Sequence, residues 1–478
     1  MSIAAESFVD GAGRFSKAAW GALLVLCGAI FLDALDVSMT GVALPSIRDE
    51  LGMSTSSLQW VVSAYVLGYG GFLLLGGRAA DLLGRRRMFL ISLSVFVVAS
   101  GLAAVTSDGT LLIVTRFIKG VSAGFTAPAG LSIITTSFPE GPARNKALSY
   151  YTATGATGFS LGLVFSGVLT EIGWRWVFLF PAPLALLVLL AAIRLVPNDG
   201  RPEQRGRFDL AGAVAVTAGM LLLVFTLVEA PEAGWGSVRT LASLAAAAAI
   251  LAAFITHELR TPAPLVRLGI LRSSSLVRAN FGAMALIGGW FGFQFIVTLY
   301  LQQLRGWSAL ETGLAIFPAG LLVAFLAPRV APLVERFGAN RLIGLGLAST
   351  AIGYALFLPI GLDSPYLVAM LPTFLLAGLG FGLAYGPLNI AATNGVEPHE
   401  QGLAGGLVNT SFQFGGALVL AIATAVNEAG AGAGNSASAI LDGFHAAIVV
   451  SLVVAVLGVT AIAVRRRRAE PEPCPEPA

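Results

Sequence analysis

Residues 76–89 read GGRAADLLGRRRMF, a short polar segment between apolar runs near 57–77 and 88–107. As a helix, each run is close to the roughly 20 residues needed to cross a hydrocarbon core. Gly77 and Gly84 permit a tight turn and a close helix approach, and Asp81 can pair with a base or a helix N-terminus. Arg85, Arg86 and Arg87 are expected to keep this loop on the cytoplasmic side of a membrane.

The rest of the chain has the same character. Of its 478 residues 56% are hydrophobic and only 12% charged, with a mean hydropathy of +0.82. A soluble protein carries about 25% charged residues, so the polar surface needed to face water is missing. The 57 glycines suit closely packed membrane helices. Two cysteines, Cys27 and Cys474, provide no disulfide framework. The first sixteen residues lack a cleavable signal pattern, so the run after Lys17 reads as a retained first span.

Apolar runs fall near 18–45, 57–77, 88–107, 109–137, 147–170, 174–193, 208–229 and 237–257, then 279–304, 308–328, 342–362, 364–396, 401–427 and 446–464. They predict fourteen membrane helices with both termini cytoplasmic. In that arrangement 23 of the 29 Lys and Arg lie inside, and only Arg48, Arg175, Arg239 and Arg305 lie outside. One missed or extra span would scramble this positive-inside bias. The closing RRRRAEPEPCPEPA reads as a basic stop-transfer cluster and a disordered acidic end.

Two bases remain, Arg116 and Lys119, both within the fourth span, and the only acids deep in any span are Asp33 and Asp36, in the first. Each charge costs about 2.5–3.5 kcal/mol at a helix centre, so the set must be paired. Asp36 precedes Leu44 by eight residues and Arg116 follows Asp108 by eight, which at about 1.5 Å per residue places them at similar depth. A spacing of three puts both charges of each helix on one face. The expectation is Asp36 beside Arg116 and Asp33 beside Lys119, around a shared aqueous pocket. Such a set is either a static lock between helices or a site where carboxylates exchange protons as access changes.

The loop quoted first resembles the signature loop of the major facilitator superfamily, with Gly77, Asp81, Gly84, Arg85 and Arg86 at its positions. In that family it governs the inward–outward switch. APLVERFGANR, after the tenth span, is a weaker echo in which Glu335, Arg336 and Gly338 keep the spacing and Ala331 replaces Gly. LDVSMTGVALP and RFIKGVSAG resemble the first- and fourth-helix motifs of the fourteen-span drug:proton antiporters, of the actinobacterial antibiotic-exporter type. WRWVFLFPAP, YLQQLRGWSALETG and GLAGGLVNTSFQFGGAL look like the same family.

The chain departs from the family at Gly41, where Asn is usual, and at Lys119, where Gln is usual. GFSLGLVFSG keeps the glycines Gly158, Gly162 and Gly167 of the antiporter helix, but Leu163 stands for Pro and Ser166 for Gly.

The resemblance implies an all-α membrane protein of the major facilitator fold, with a 6+6 core and two inserted helices. The boundaries expected are 1–17 cytoplasmic N-terminus, 18–196 first six-helix bundle, 197–207 linker, 208–258 inserted pair, 259–278 amphipathic linker, 279–464 second bundle and 465–478 tail. Trp290, Phe293, Gln294, Tyr385, Asn389, Asn394, Asn409 and Gln413 are candidates to line the substrate cavity, by stacking and adaptable hydrogen bonds.

The function implied is proton-coupled export of small amphipathic compounds at a bacterial plasma membrane, by a monomer without a cofactor, driven by the proton gradient. Its partners are the substrate, protons and the bilayer, with no nucleic acid. Alternatives are a specialised exporter of one metabolite or lipid-like molecule, and a proton symporter importing a nutrient. A membrane enzyme is disfavoured because His257, His399 and His445 lie apart at loop edges, and ATP drive because no Walker A motif occurs. A non-transporting scaffold would not need a balanced set of buried charges.

Overall fold

The structure, a computed structural model, describes residues 8, 15–139, 142–198, 209–261, 268–394, 396, 401–431 and 436–463. The first helices are α1 (Lys17–Leu51), α2 (Thr55–Leu83), α3 (Arg85–Val105), α4 (Gly109–Ser137) and α5 (Pro142–Ile172). A short α6 (Arg175–Leu179) leads into α7 (Pro181–Leu195), followed by α8 (Leu210–Ala233) and α9 (Val238–Glu258). The second part holds α10 (Ser274–Leu299), α11 (Ala309–Leu326), a small α12 (Val330–Phe337), α13 (Ala339–Phe357), α14 (Leu371–Thr393), α15 (Gln401–Ala431) and α16 (Ala437–Ala463).

Local sequence accounts for many of these boundaries. Ser16, Ser54, Asp108, Asp209, Ser237, Ser273 and Ser308 each cap a helix by accepting a backbone N–H from the first turn. Ser308 and Glu311 form a reciprocal capping box. Gly84 and Gly338 stand at equivalent places in the two halves, with φ/ψ of 100°/126° and 80°/146°. Each closes one helix through its N–H, to Ala80 and Val334, and opens the next. The weak echo in sequence is therefore a repeated backbone feature that a side chain would strain.

Among the described residues, twelve helices are long and apolar enough to cross a membrane. The fourteen expected from apolar runs are not reached on that measure. The run at 208–229 contributes a shorter described apolar stretch, Ala211–Leu227. That at 342–362 falls mostly in α13, which opens on Asn340 and Arg341 and is diluted by glycine, serine and threonine. The expected linker 197–207 beyond Asn198, residues 262–267 of the next linker, the tail 465–478 and His399 lie outside the described residues.

Helices α1 to α7 pack chiefly on one another, through α1–α5, α2–α4, α3–α4 and α3–α7. Helices α10 to α16 do the same, through α10–α15, α13–α14, α15–α16 and α10–α16. Two main seams join these groups, α5 against α11 and α2 against α15, with a smaller contact of α10 on α1. Helix α8 pairs with α9 and also rests on α2 and α15, where Thr217 donates to the Gly71 carbonyl at 2.9 Å. We call the end holding Arg85, Arg86 and Arg87 the basic end and the opposite one the far end.

Candidate functional site

Asp36, on α1, and Arg116 and Lys119, on α4, converge in the interior of the first group. Their exposures are 0%, 1% and 0%, and Asp33 is 5% exposed. One Asp36 oxygen accepts from Arg116 Nη1 and the other from Lys119 Nζ. Arg116 also donates through Nε to the Val61 carbonyl at 2.9 Å. Its guanidinium lies 4.6 Å from the centre of the Tyr65 ring, and Lys119 Nζ lies 4.6 Å from that of Phe96. Phe178 stands near both cations. Aromatic faces thus wall the two charges away from lipid.

The expected Asp36–Arg116 neighbours are present, but Lys119 bonds to Asp36 and not to Asp33. The flexible four-carbon stem of Lys119 reaches back to the second oxygen of Asp36, a reach that depth along the helix axis does not encode. Asp33 Oδ2 is buried and, among the described residues, has no hydrogen-bond partner. The aqueous pocket expected around the set is closed, since all four side chains are buried.

Gly158 and Gly162 of α5 lie directly behind these acids. A Cβ on Gly158 would stand 3.0 Å from Phe31 Cα, and one on Gly162 would stand 2.8 Å from the Leu35 carbonyl oxygen. Ser166 donates to the Met39 carbonyl. A four-residue rhythm on α5 thus meets a four-residue rhythm on α1, on either side of Asp33 and Asp36. Gly167 turns instead to the seam, where its Cβ would lie 2.7 Å from Leu310 Cα on α11.

Of the cavity candidates, Gln294 (7% exposed) reaches the seam between the groups, among Val37, Gly41, Val62, Phe291 and Leu420. A Cβ at Gly41 would lie 3.0 Å from Gln294 Nε2, so the glycine that departs from the family pattern makes room for this amide. Trp290 also bridges, with its ring 6.3 Å from Phe159 of α5. Gln413 packs on Gly70 across the other seam. Tyr385 stacks between Phe381 and Phe412. Asn389 and Asn409 donate to carbonyls of their own helices.

Two candidates lie elsewhere. The Phe293 ring is taken up among Tyr354, Phe357 and Phe374 within the second group, and Asn394 is the exposed C-cap of α14. Helical position alone does not reveal which way a ring is turned.

At the basic end, Arg86 donates to the Ile193 carbonyl at 2.5 Å, tying the start of α3 to the end of α7. A Cβ at Gly77 would meet Pro128 at an ordinary 3.7 Å, and Arg85 is half-buried. Glu335 and Arg336 are exposed on α12, with Arg336 over the Phe337 ring. The side chain of Asp81 lies outside the described residues. Sequence reasoning missed the Tyr65, Phe96 and Phe178 walls, although Phe178 sits inside the quoted WRWVFLFPAP.

The two groups are latched to each other. Ser160 donates to the Gly320 carbonyl at 2.8 Å near the middle of α5 and α11, and toward the far end Gln302 donates to the Val42 carbonyl at 2.9 Å and the Leu310 N–H to Glu171 at 3.4 Å.

Comparison with known proteins agrees with this architecture. A family model described as Major Facilitator Superfamily matches residues 26–420. The chain is 38% identical to a puromycin resistance protein of Streptomyces alboniger over 458 residues, covering 93% of this chain and 90% of that protein. It is also 38% identical to a cephamycin export protein of Amycolatopsis lactamdurans over 456 residues, 93% of each. A crystal structure of a peptide transporter in complex with sulfate superposes with a TM-score of 0.68 at 18% identity, over 96% of this chain and 97% of that one. That likeness speaks for the fold alone.

Proposed function

The chain belongs to the major facilitator superfamily, a family of membrane transporters and not of enzymes, and on that premise we propose that it is a proton-coupled exporter of small amphipathic organic compounds. The observation that carries this reading is the buried Asp36 bonded to both Arg116 and Lys119, with Asp33 one turn away. Ionisable groups in a membrane interior are costly and are kept where they move ions or substrate. The likeness to a puromycin resistance protein and a cephamycin export protein supports antibiotic-like substrates, and aromatic surfaces with single amides, as at Trp290, Tyr385 and Gln294, suit such compounds.

In this reading the basic end is cytoplasmic, as are both termini, and the membrane is the plasma membrane of a bacterium. Fourteen helices span it, α8 and α9 being an inserted pair beside a 6+6 core. The two groups rock about the seams α5–α11 and α2–α15, exposing the centre to one side at a time. One chain suffices, the proton gradient is the only energy source, and no cofactor takes part.

The test uses purified chain in lipid vesicles with an acidic lumen and trapped DNA, which reports entry of ethidium. Ethidium accumulation that collapses when the pH gradient is dissipated is the expected result. Ethidium that binds but never accumulates in the native chain would rule out proton-driven export of this probe.

A further inference from the structure

Four ionisable groups share one buried site, and their bonding is unequal. Both oxygens of Asp36 are committed, one to Arg116 and one to Lys119. A proton on Asp36 would have to displace a cation and would leave two positive side chains apposed without their anion. Asp33 is different, because its Oδ2 is buried with no hydrogen-bond partner among the described residues. Asp33 also lies three residues nearer the basic end on the same helix face.

Asp33 interacts with Asp36 on its own helix and with Lys119 of α4. Tyr65 and Tyr69 of α2 and Tyr151 of α5 are near enough to feel its charge. The Arg116 guanidinium is turned away, to Asp36 and Val61. Both cations are paired to Asp36 and neither forms a salt bridge with Asp33, so Asp33 can be charged or neutral without breaking an ion pair.

We propose that Asp33, and not the doubly paired Asp36, is the group that takes up and releases the transported proton, while Asp36 is a positioning residue that holds Arg116 and Lys119. This deepens the proton-coupled reading and rests on it. The step is simple in its balance: one proton adds to a carboxylate oxygen of Asp33 and later leaves to water on the other side. The site changes from no net charge to one net positive charge, and no bond other than O–H forms or breaks. Two electrostatic states of the same site are what a two-conformation carrier needs in order to couple its equilibrium to protons.

The decisive measurement is infrared difference spectroscopy of the full chain in lipid vesicles during a pH titration, because a buried carboxylic acid has its own C=O stretch. The native chain is expected to show a titrating band that disappears in Asp33→Asn and persists in the charge-balanced Asp36→Asn/Lys119→Gln double variant; the buried Glu258 and Asp209 contribute equally to all three spectra and cancel in the differences. A native spectrum from which Asp33→Asn removes no titrating band overturns the assignment.

A transport readout separates a proton carrier from a packing role. Asp33→Asn is expected to exchange ethidium at equal pH on both sides while losing about tenfold or more of its gradient-driven accumulation. Loss of both together would mark Asp33 as structural and sink the proposal. A native chain that shows the Asp33 band but never couples it to ethidium would instead sink the export reading and leave the proton site standing.

Discussion

Asp36→Asn is expected to abolish gradient-driven ethidium accumulation and to lower the thermal stability of the purified protein. The carboxylate is 0% exposed and is the anion for two cations. Taking one partner out of a buried ion pair costs about 3–5 kcal/mol, and here a single substitution strands two charges at once. Neither can reach water without repacking, since Tyr65, Phe96 and Phe178 stand around them.

Adding Lys119→Gln to Asp36→Asn removes one of the stranded cations and is expected to restore much of the melting temperature without restoring accumulation. Ultraviolet or fluorescence melting in detergent, run beside the vesicle assay, distinguishes the two effects. An Asp36→Asn chain with native melting and native accumulation would show that the ion pairs matter neither to the fold nor to transport.

The second large effect concerns glycines on a surface that must separate. A Cβ at Gly313 would stand 2.5 Å from the Leu163 carbonyl oxygen, and one at Gly320 would stand 2.9 Å from Ser160 Cβ. Both lie on α11 where it meets α5, a seam latched at mid-helix by Ser160 and toward the far end by Glu171. Overpacking costs about 1–3 kcal/mol, and at this seam the strain is relieved by parting the two groups. Gly313→Ala is therefore expected to shift the carrier about tenfold toward the state open at the far end.

Cysteine placed at Leu44, in a Cys27→Ser/Cys474→Ser background, should then react about tenfold faster with a membrane-impermeant maleimide. Gly120→Ala is the contrasting case. Gly120 faces the Tyr65 backbone inside one group, where α2 and α4 do not part, so that substitution should lower melting without raising the labelling rate. Equal labelling in native and Gly313→Ala chains would mean that this seam does not open.

Much of this architecture can be read along one dimension. Apolar runs, basic loops and glycine spacing locate helices, and Gly84 and Gly338 mark the same turn twice. Counting residues from the helix ends was enough to bring Asp36 and Arg116 together. Rotation and side-chain reach are not carried by such counts. Lys119 therefore pairs with Asp36 where residue counts point to Asp33, Phe293 faces its own group, and Asn394 sits on an exposed cap. The notch that Gly41 leaves for Gln294 depends on two helices meeting across a seam, which periodicity along either one does not encode.

The central claim, that these buried charges couple protons to the export of an organic compound, is tested most directly by running the exchange backwards. Vesicles with equal pH on both sides, a luminal pH indicator and an imposed ethidium gradient would be compared for the native and Asp36→Asn chains. Ethidium leaving down its gradient should drive protons into the lumen of native vesicles and acidify it, with no change for Asp36→Asn. Ethidium movement through the native chain with no change in luminal pH would contradict proton coupling outright.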